Sequence, residues 1–184
     1  MSTGAETTVT ASYLRPIDGE GLAAFAEKGL SNPENRGTNK TRTVTEGQYR
    51  TITYVGKHEV VVDEPLHLFG EDTAPAPGEI VLAALGGCLC VGVTAVATWK
   101  GVKLSHLEVL LEADIGNTAA WGAGGADRQP EDMGFQEIRA KFIVKGDASR
   151  EELEEIVQRA NYYSPVGNSM RNPIPMTISL ADDE

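Results

Sequence analysis

PGEIVLAALGGCLCVGVTAVATW, residues 77–99, is unlike any other stretch of this chain. Glu79 is its last charge, and the next is Lys100. Both cysteines of the chain, Cys88 and Cys90, lie inside it, with Gly86, Gly87 and Gly92 and several alanines. Small residues let other backbone approach closely. The stretch predicts a central helix that the rest of the protein wraps, with a thiol at its middle. About 20 apolar residues can also span a bilayer. Against a span stand the few large aliphatic residues, Thr94 and Thr98 in the run, and flanks without a basic bias. A break at Gly86-Gly87 is a third reading, since each interior glycine costs about 1 kcal/mol against alanine.

Outside this run the chain is ordinary for a soluble α+β domain. Its 184 residues suit one domain with a sizeable core. With 41% hydrophobic and 23% charged residues it falls in the globular class. A net charge of −11 and a pI near 4.7 argue against a nucleic-acid partner, because an acidic surface repels phosphate. Residues 1–10 lack the charged and apolar regions of a signal peptide, which predicts a cytoplasmic location and reduced thiols. Two cysteines two residues apart make no disulfide framework.

Upstream, residues 1–11 read as a polar tail and 20–30 as a short helix carrying Leu22, Phe25, Ala26 and Leu30. From Thr41 the period changes to two. TRTVTEG, QYRTITYVG and KHEVVVDEP read as three strands with turns at Gly47 and Gly56-Lys57. Downstream, 106–115 and 135–146 read as strands paired across the glycine-rich stretch 116–134. Residues 147–163 read as an amphipathic helix, with Ser149 and Glu152 at capping-box spacing and Leu153, Ile156, Val157, Ala160 and Tyr163 on one face. Residues 164–173 read as a turn region and 174–180 as a last strand. Strands, an apolar helix, strands, an amphipathic helix and a strand make an α+β protein.

VVVDEP (60–65) followed by FGEDTAPAPGEIVLAALGGC (69–88) resembles the OsmC/Ohr family of thiol-dependent hydroperoxide reductases. The likeness covers about residues 41–182 and divides the chain into an N-terminal tail and short helix (1–40) and an OsmC-like domain (41–184). It implies antiparallel sheets wrapped around the central helix, an intertwined homodimer, and active sites at the interface. It implies that Cys88 is the reactive thiol, attacking an organic, lipid-like hydroperoxide, and that no metal, flavin or haem takes part. It implies an arginine beside the thiol, oriented by a glutamate near the helix start. Glu79 matches the glutamate. Arg50 is the choice for the arginine, with Arg42 the other candidate.

The sequence departs from the family at YYSPVG (162–167), where Ser164 stands at the position of the second, disulfide-forming cysteine. Cys90 is a poor substitute, since residues i and i+2 of a helix point about 200° apart. This leaves a one-cysteine peroxidase cleared by an external small thiol or dithiol, a disulfide between subunits, or a relative without the activity. Cys88 lies too far along its helix to feel the charge at the N-terminus, so a cation from elsewhere is needed to stabilise a thiolate. Cys90 reads as a core residue, and His58, His67 and His106 as isolated structural or surface residues, without a metal-ligand set. Ser164 reads as a turn or helix-capping residue. Tyr162, Tyr163, Trp121, Phe135 and Met170 are candidates for an apolar pocket, or equally for plain core. The expected protein is a peroxidase acting through Cys88, with Arg50 and Glu79. The alternative is an OsmC-like dimer that binds an apolar small molecule and runs no redox cycle.

Overall fold

A computed structural model describes residues 12–117, 129 and 132–181. Helix α1 (Gly19–Ser31) comes first, followed by strands β1 (Arg42–Gly47), β2 (Arg50–Val55) and β3 (His58–Val62). The long helix α2 (Pro77–Lys100) leads to strands β4 (Leu104–Ile115) and β5 (Phe135–Gly146), and helices α3 (Arg150–Tyr162) and α4 (Pro165–Arg171) close the order. The sheets are antiparallel, β1-β2-β3 and β4-β5, and the fold class is α+β as expected.

The apolar run is one unbroken helix. Pro77 sits in its first turn, where its missing N–H is no loss. Gly101, at φ 72°, ends it in the left-handed conformation that glycine adopts freely. Leu85, Leu89, Val93, Val96 and Ala97 fall on one face and are buried. Val93, Val96 and Ala97 meet Ile156 and Ala160 of α3 and Leu104 of β4, with Val102, Leu107, Phe142 and Val144 around them. By length and composition α2 could cross a membrane, but its buried face makes it the core helix of this domain. Glycine has a packing reason at Gly92, where a Cβ would lie 3.1 Å from the Ala160 Cβ. There α2 and α3 cross closely.

The amphipathic helix starts as the spacing predicts, with the Ser149 hydroxyl accepting the Glu152 N–H at 3.2 Å. Of its predicted face, Ile156 and Ala160 are buried while Tyr163 is exposed. Two expectations fail. Residues 165–171, expected as turn, form the short helix α4, because Ser164 caps it and Pro165 suits its first position. Residues 174–180 form no strand. Their apolar residues do alternate, but Ile174, Met176, Ile178 and Leu180 all point into solvent, and no neighbouring strand supplies hydrogen bonds. A pleated pattern without a partner stays an extended segment.

The link from β3 to α2 is pinned by Asp63, which is fully buried. Its carboxylate accepts the Glu64 N–H at 2.8 Å, the Thr73 N–H at 3.0 Å and the Thr73 hydroxyl at 2.8 Å. The hydrogen bond from the Thr73 backbone, above all, holds its pKa down at about 2 despite burial. Gly70 lets the chain fold back on itself, since a Cβ there would overlap the Glu64 carbonyl.

Candidate functional site around Cys88

Cys88 lies at the middle of α2, half-buried, one turn before Gly92 and the crossing with α3. The chain leaving α3 turns at Ser164, whose side chain is 2% exposed. The Ser164 hydroxyl accepts the Gly167 N–H at 3.0 Å, which caps α4, and donates to the Cys88 Sγ at 3.3 Å. The expected capping role is therefore present. The contact with the thiol adds a second role, which no local motif announces because 76 residues separate the two. A hydroxyl donor to sulfur gains strength when the sulfur carries negative charge.

Cys88 and Ser164 open onto an apolar cleft of about 760 Å³. Val91, Val96 and Trp99 of α2 form its floor, and Tyr163 and Arg159 border it from α3. Phe25, Ala26, Gly29 and Leu30 of α1 form a further wall. Arg159 is the single charged residue of the lining. It stacks over Tyr163 at 5.3 Å and has no ion pair among the described residues. A charged residue in an amphipathic helix reads as solvent-facing, and only the crossing of α2 and α3 brings Arg159 to the border of the thiol's cavity. The α1 residues were legible as an apolar face, but not as a wall of this cleft.

Cys90 is a free thiol too, but it takes no part in the cleft lining. Burial pushes its pKa up, which lowers its thiolate fraction. The divergence of the two cysteines expected from helix geometry is thus present in the fold. Of the aromatic candidates, Tyr163 borders the cleft, while Phe135 and Met170 line a separate cavity between α2, β5 and α4. Tyr162 packs edge-on against Tyr163 with ring centroids 4.9 Å apart, outside the lining, and Trp121 lies outside the described residues. Among the described residues no group of His, Cys, Asp and Glu could hold a metal ion.

Glu79 and Arg50 are engaged elsewhere within the chain. Glu79 caps α2, its carboxylate accepting the Ala76 N–H at 2.8 Å. Nine residues of helix put it about 13 Å from Cys88 along the axis. Arg50 donates to Glu46 at 2.8 Å and to the Thr73 hydroxyl at 2.7 Å. Thr73 passes this contact on to Asp63, so Arg50 ties β2 to the loop before α2. Arg42 stacks on Tyr54, 4.5 Å from its ring centroid. One chain by itself thus brings together Cys88, Ser164 and Arg159, and joins neither Arg50 nor Glu79 to the thiol.

A family model described as OsmC-like protein matches residues 70–179, from the Asp63 loop to the exposed C-terminal segment. Solved structures share the fold at low identity. An OsmC-like protein from Mycoplasma pneumoniae superposes with a TM-score of 0.61 at 14% identity, over 74% of this chain and 89% of its own. An organic hydroperoxide resistance protein OsmC from Legionella pneumophila gives 0.55 at 19%, over 74% and 91%. An organic hydroperoxide resistance protein from Elizabethkingia anophelis gives 0.54 at 19%, over 75% and 91%. No curated protein matches the chain.

Proposed function

The chain belongs to the OsmC-like family, and on that premise we propose that it is a thiol-dependent peroxidase that reduces organic, lipid-like hydroperoxides through Cys88. The observation that carries the reading is the Ser164 hydroxyl on the Cys88 sulfur, at the floor of an apolar cleft. The cleft suits the organic part of a peroxide, and the hydroxyl supports the sulfur when it is charged. The names of the Legionella and Elizabethkingia proteins point to the same substrate class.

In the proposed cycle the Cys88 thiolate attacks the terminal oxygen of ROOH. The O–O bond breaks, the S–O bond forms, and the leaving alkoxide takes a proton to become ROH. Cys88 is left as a sulfenic acid. Ser164 has no sulfur to offer, so an external thiol attacks instead, releasing water and forming a mixed disulfide. A second external thiol then reduces that disulfide, restoring Cys88 and leaving the external pair oxidised. The cycle calls on no metal, flavin or haem.

The protein acts as a homodimer in the cytoplasm in this reading, with neither nucleic acid nor membrane as partner. The dimer also supplies what one chain does not. Arg50 and Glu79 would act at Cys88 across the interface, Arg50 stabilising the thiolate and Glu79 orienting it. The engagement of both residues elsewhere in the single chain favours the second reading, a dimer that binds an apolar molecule without turnover.

Purified protein with a dithiol should consume cumene hydroperoxide, and Cys88→Ser should not. One equivalent of peroxide should add one oxygen to the parent at Cys88, and an added monothiol should convert it to a mixed disulfide. A thiol that stays unmodified under these conditions, with no peroxide consumed, would leave the binding protein as the answer.

A further inference from the structure

Among the described residues Arg159 has no carboxylate partner. The candidate on its own helix is Glu155, four residues back, a spacing at which helices form ion pairs. Glu155 is committed to Lys100 of α2 at 2.9 Å, and Glu154 to Arg150 at 3.0 Å. What Arg159 has is the ring of Tyr163, one turn on, with the guanidinium carbon 5.3 Å from the ring centroid. That contact occupies one flat face of the guanidinium. Its edge of N–H donors, the part that fits a carboxylate in bidentate fashion, is left for another acceptor.

The place of this cation gives it a consequence. Arg159 and Cys88 line one cleft, and every other residue of the lining is uncharged. Four helical residues, about 6 Å along the axis, carry the chain from Arg159 to Tyr163, and the next residue, Ser164, bonds the Cys88 sulfur. A chain with a net charge of −11 repels anions in general, so a lone guanidinium in the cleft of the reacting sulfur decides locally which small thiols come close. Whatever surface a second copy covers, Cys88 must stay open to a thiol from solution, since Ser164 supplies no sulfur. We propose that Arg159 is a specificity-determining residue that recruits the external reductant, and that this reductant is a small thiol carrying a carboxylate. The proposal rests on Cys88 being the peroxidase thiol. The carboxylate pairs with the guanidinium while the thiol attacks the sulfur of the Cys88 sulfenic acid. The S–O bond breaks, an S–S bond forms, and the hydroxyl leaves as water with the thiol's proton. A second molecule of the same thiol opens the mixed disulfide and restores Cys88.

Iodoacetate and iodoacetamide test the recognition without turnover. They are nearly equal in size and lose the same iodide to a thiolate, but only the first is an anion. Their rate ratio on Cys88, measured on the full chain in a Cys90→Ala background, cancels the thiolate fraction. Arg159→Gln should lower the iodoacetate-to-iodoacetamide ratio roughly tenfold, the scale of one hydrogen bond to a charged group. Arg159→Lys, which keeps the charge, should recover part of the loss. During peroxide reduction, the preference for 3-mercaptopropionate over 2-mercaptoethanol should fall by a similar factor in Arg159→Gln, with KM for the thiol moving more than kcat.

An alkylation ratio equal in the parent and Arg159→Gln would overturn the proposal, as it would if a carboxylate of a second copy already held the guanidinium. So would an equal fall in Arg159→Lys, which would make the stacking on Tyr163, and not the charge, the point. If Arg159→Gln altered the choice between a fatty-acid hydroperoxide and its methyl ester and left the thiol preference alone, the carboxylate would belong to the peroxide and the proposal would fail. A tenfold loss of the alkylation ratio in a protein that consumes no peroxide would keep the carboxylate site and sink the peroxidase.

Discussion

The Ser164 hydroxyl is committed on both sides, accepting from Gly167 and donating to Cys88. Ser164→Ala removes both bonds, so it should slow peroxide consumption several-fold and shorten α4, which stopped-flow kinetics and circular dichroism read separately. Ser164→Cys is the sharper change. Atoms 3.3 Å apart need only a small movement to make a disulfide, provided the backbone separation permits. One equivalent of peroxide should then lower the mass of that variant by about 2 Da, where the parent gains about 16 Da. A variant that still gains oxygen would show the turn to be misaligned for bonding. Arg50→Met should cost at least about tenfold in kcat/KM if Arg50 reaches the thiol in the dimer, as an electrostatic group at a reacting atom does. An unchanged rate would leave Arg50 as the strut that holds Thr73. Asp63 offers a pH signature. Its pKa of about 2 lies below the ordinary 3.8, so the folded chain binds that proton more weakly than the unfolded one. Its stabilisation is complete above about pH 4 and fades as pH falls through its folded value. The Tm gap between the parent and Asp63→Asn should therefore be widest near neutral pH and close in acid; a gap independent of pH would show that the carboxylate's charge is not what holds the loop.

At the scale of elements, the legible parts were those fixed by local pattern. The three N-terminal strands follow from period two and the turns at Gly47 and Gly56, and α3 follows from Ser149 and its apolar stripe. Helix α2 survives Gly86 and Gly87 because its long buried face outweighs two local propensity costs. What the sequence hid is what depends on distant chain. The contact of Ser164 with Cys88 exists because α4 folds back after α3, and α1 reaches the cleft because of one backbone bond between Leu14 and Leu104. The final strand was misread because alternation reports a pleat and says nothing of who pairs with it. The crossing of α2 and α3 makes its own prediction. Gly92→Val puts side-chain volume where a single Cβ is already tight against Ala160. The helices must part, at a cost of about 1–3 kcal/mol by the usual penalty for overpacking. Denaturant titration should show that loss, with Cys88 alkylation accelerated as the cleft loosens. A Gly92→Val protein as stable as the parent would mean the crossing is compliant.

At the scale of the whole molecule, much of the exposed surface among the described residues is apolar and patterned. Helix α2 leaves Ala84, Gly87, Val91 and Trp99 open along one side, opposite its buried face. The β1–β3 sheet has no packing partner of consequence among the other elements. The segment 174–180 presents four apolar side chains to water, with Leu180 97% exposed. A half-wrapped helix, an unpacked sheet and an unpaired strand pattern share one remedy in the proposed dimer, where a second copy of the chain would cover all three. Gly87 is the place to test it. No atom of its own chain comes within 4 Å of where a Cβ would sit. Gly87→Glu therefore does not clash within one chain, while it puts a charge on the bare stripe that a second α2 would meet. The parent should have twice the chain mass by light scattering at micromolar concentration. Gly87→Glu should shift it towards the chain mass, with helix content largely retained, and should reduce peroxide consumption together with dimer content. A parent found at the chain mass would remove the second copy, and with it the route by which Arg50 and Glu79 reach Cys88.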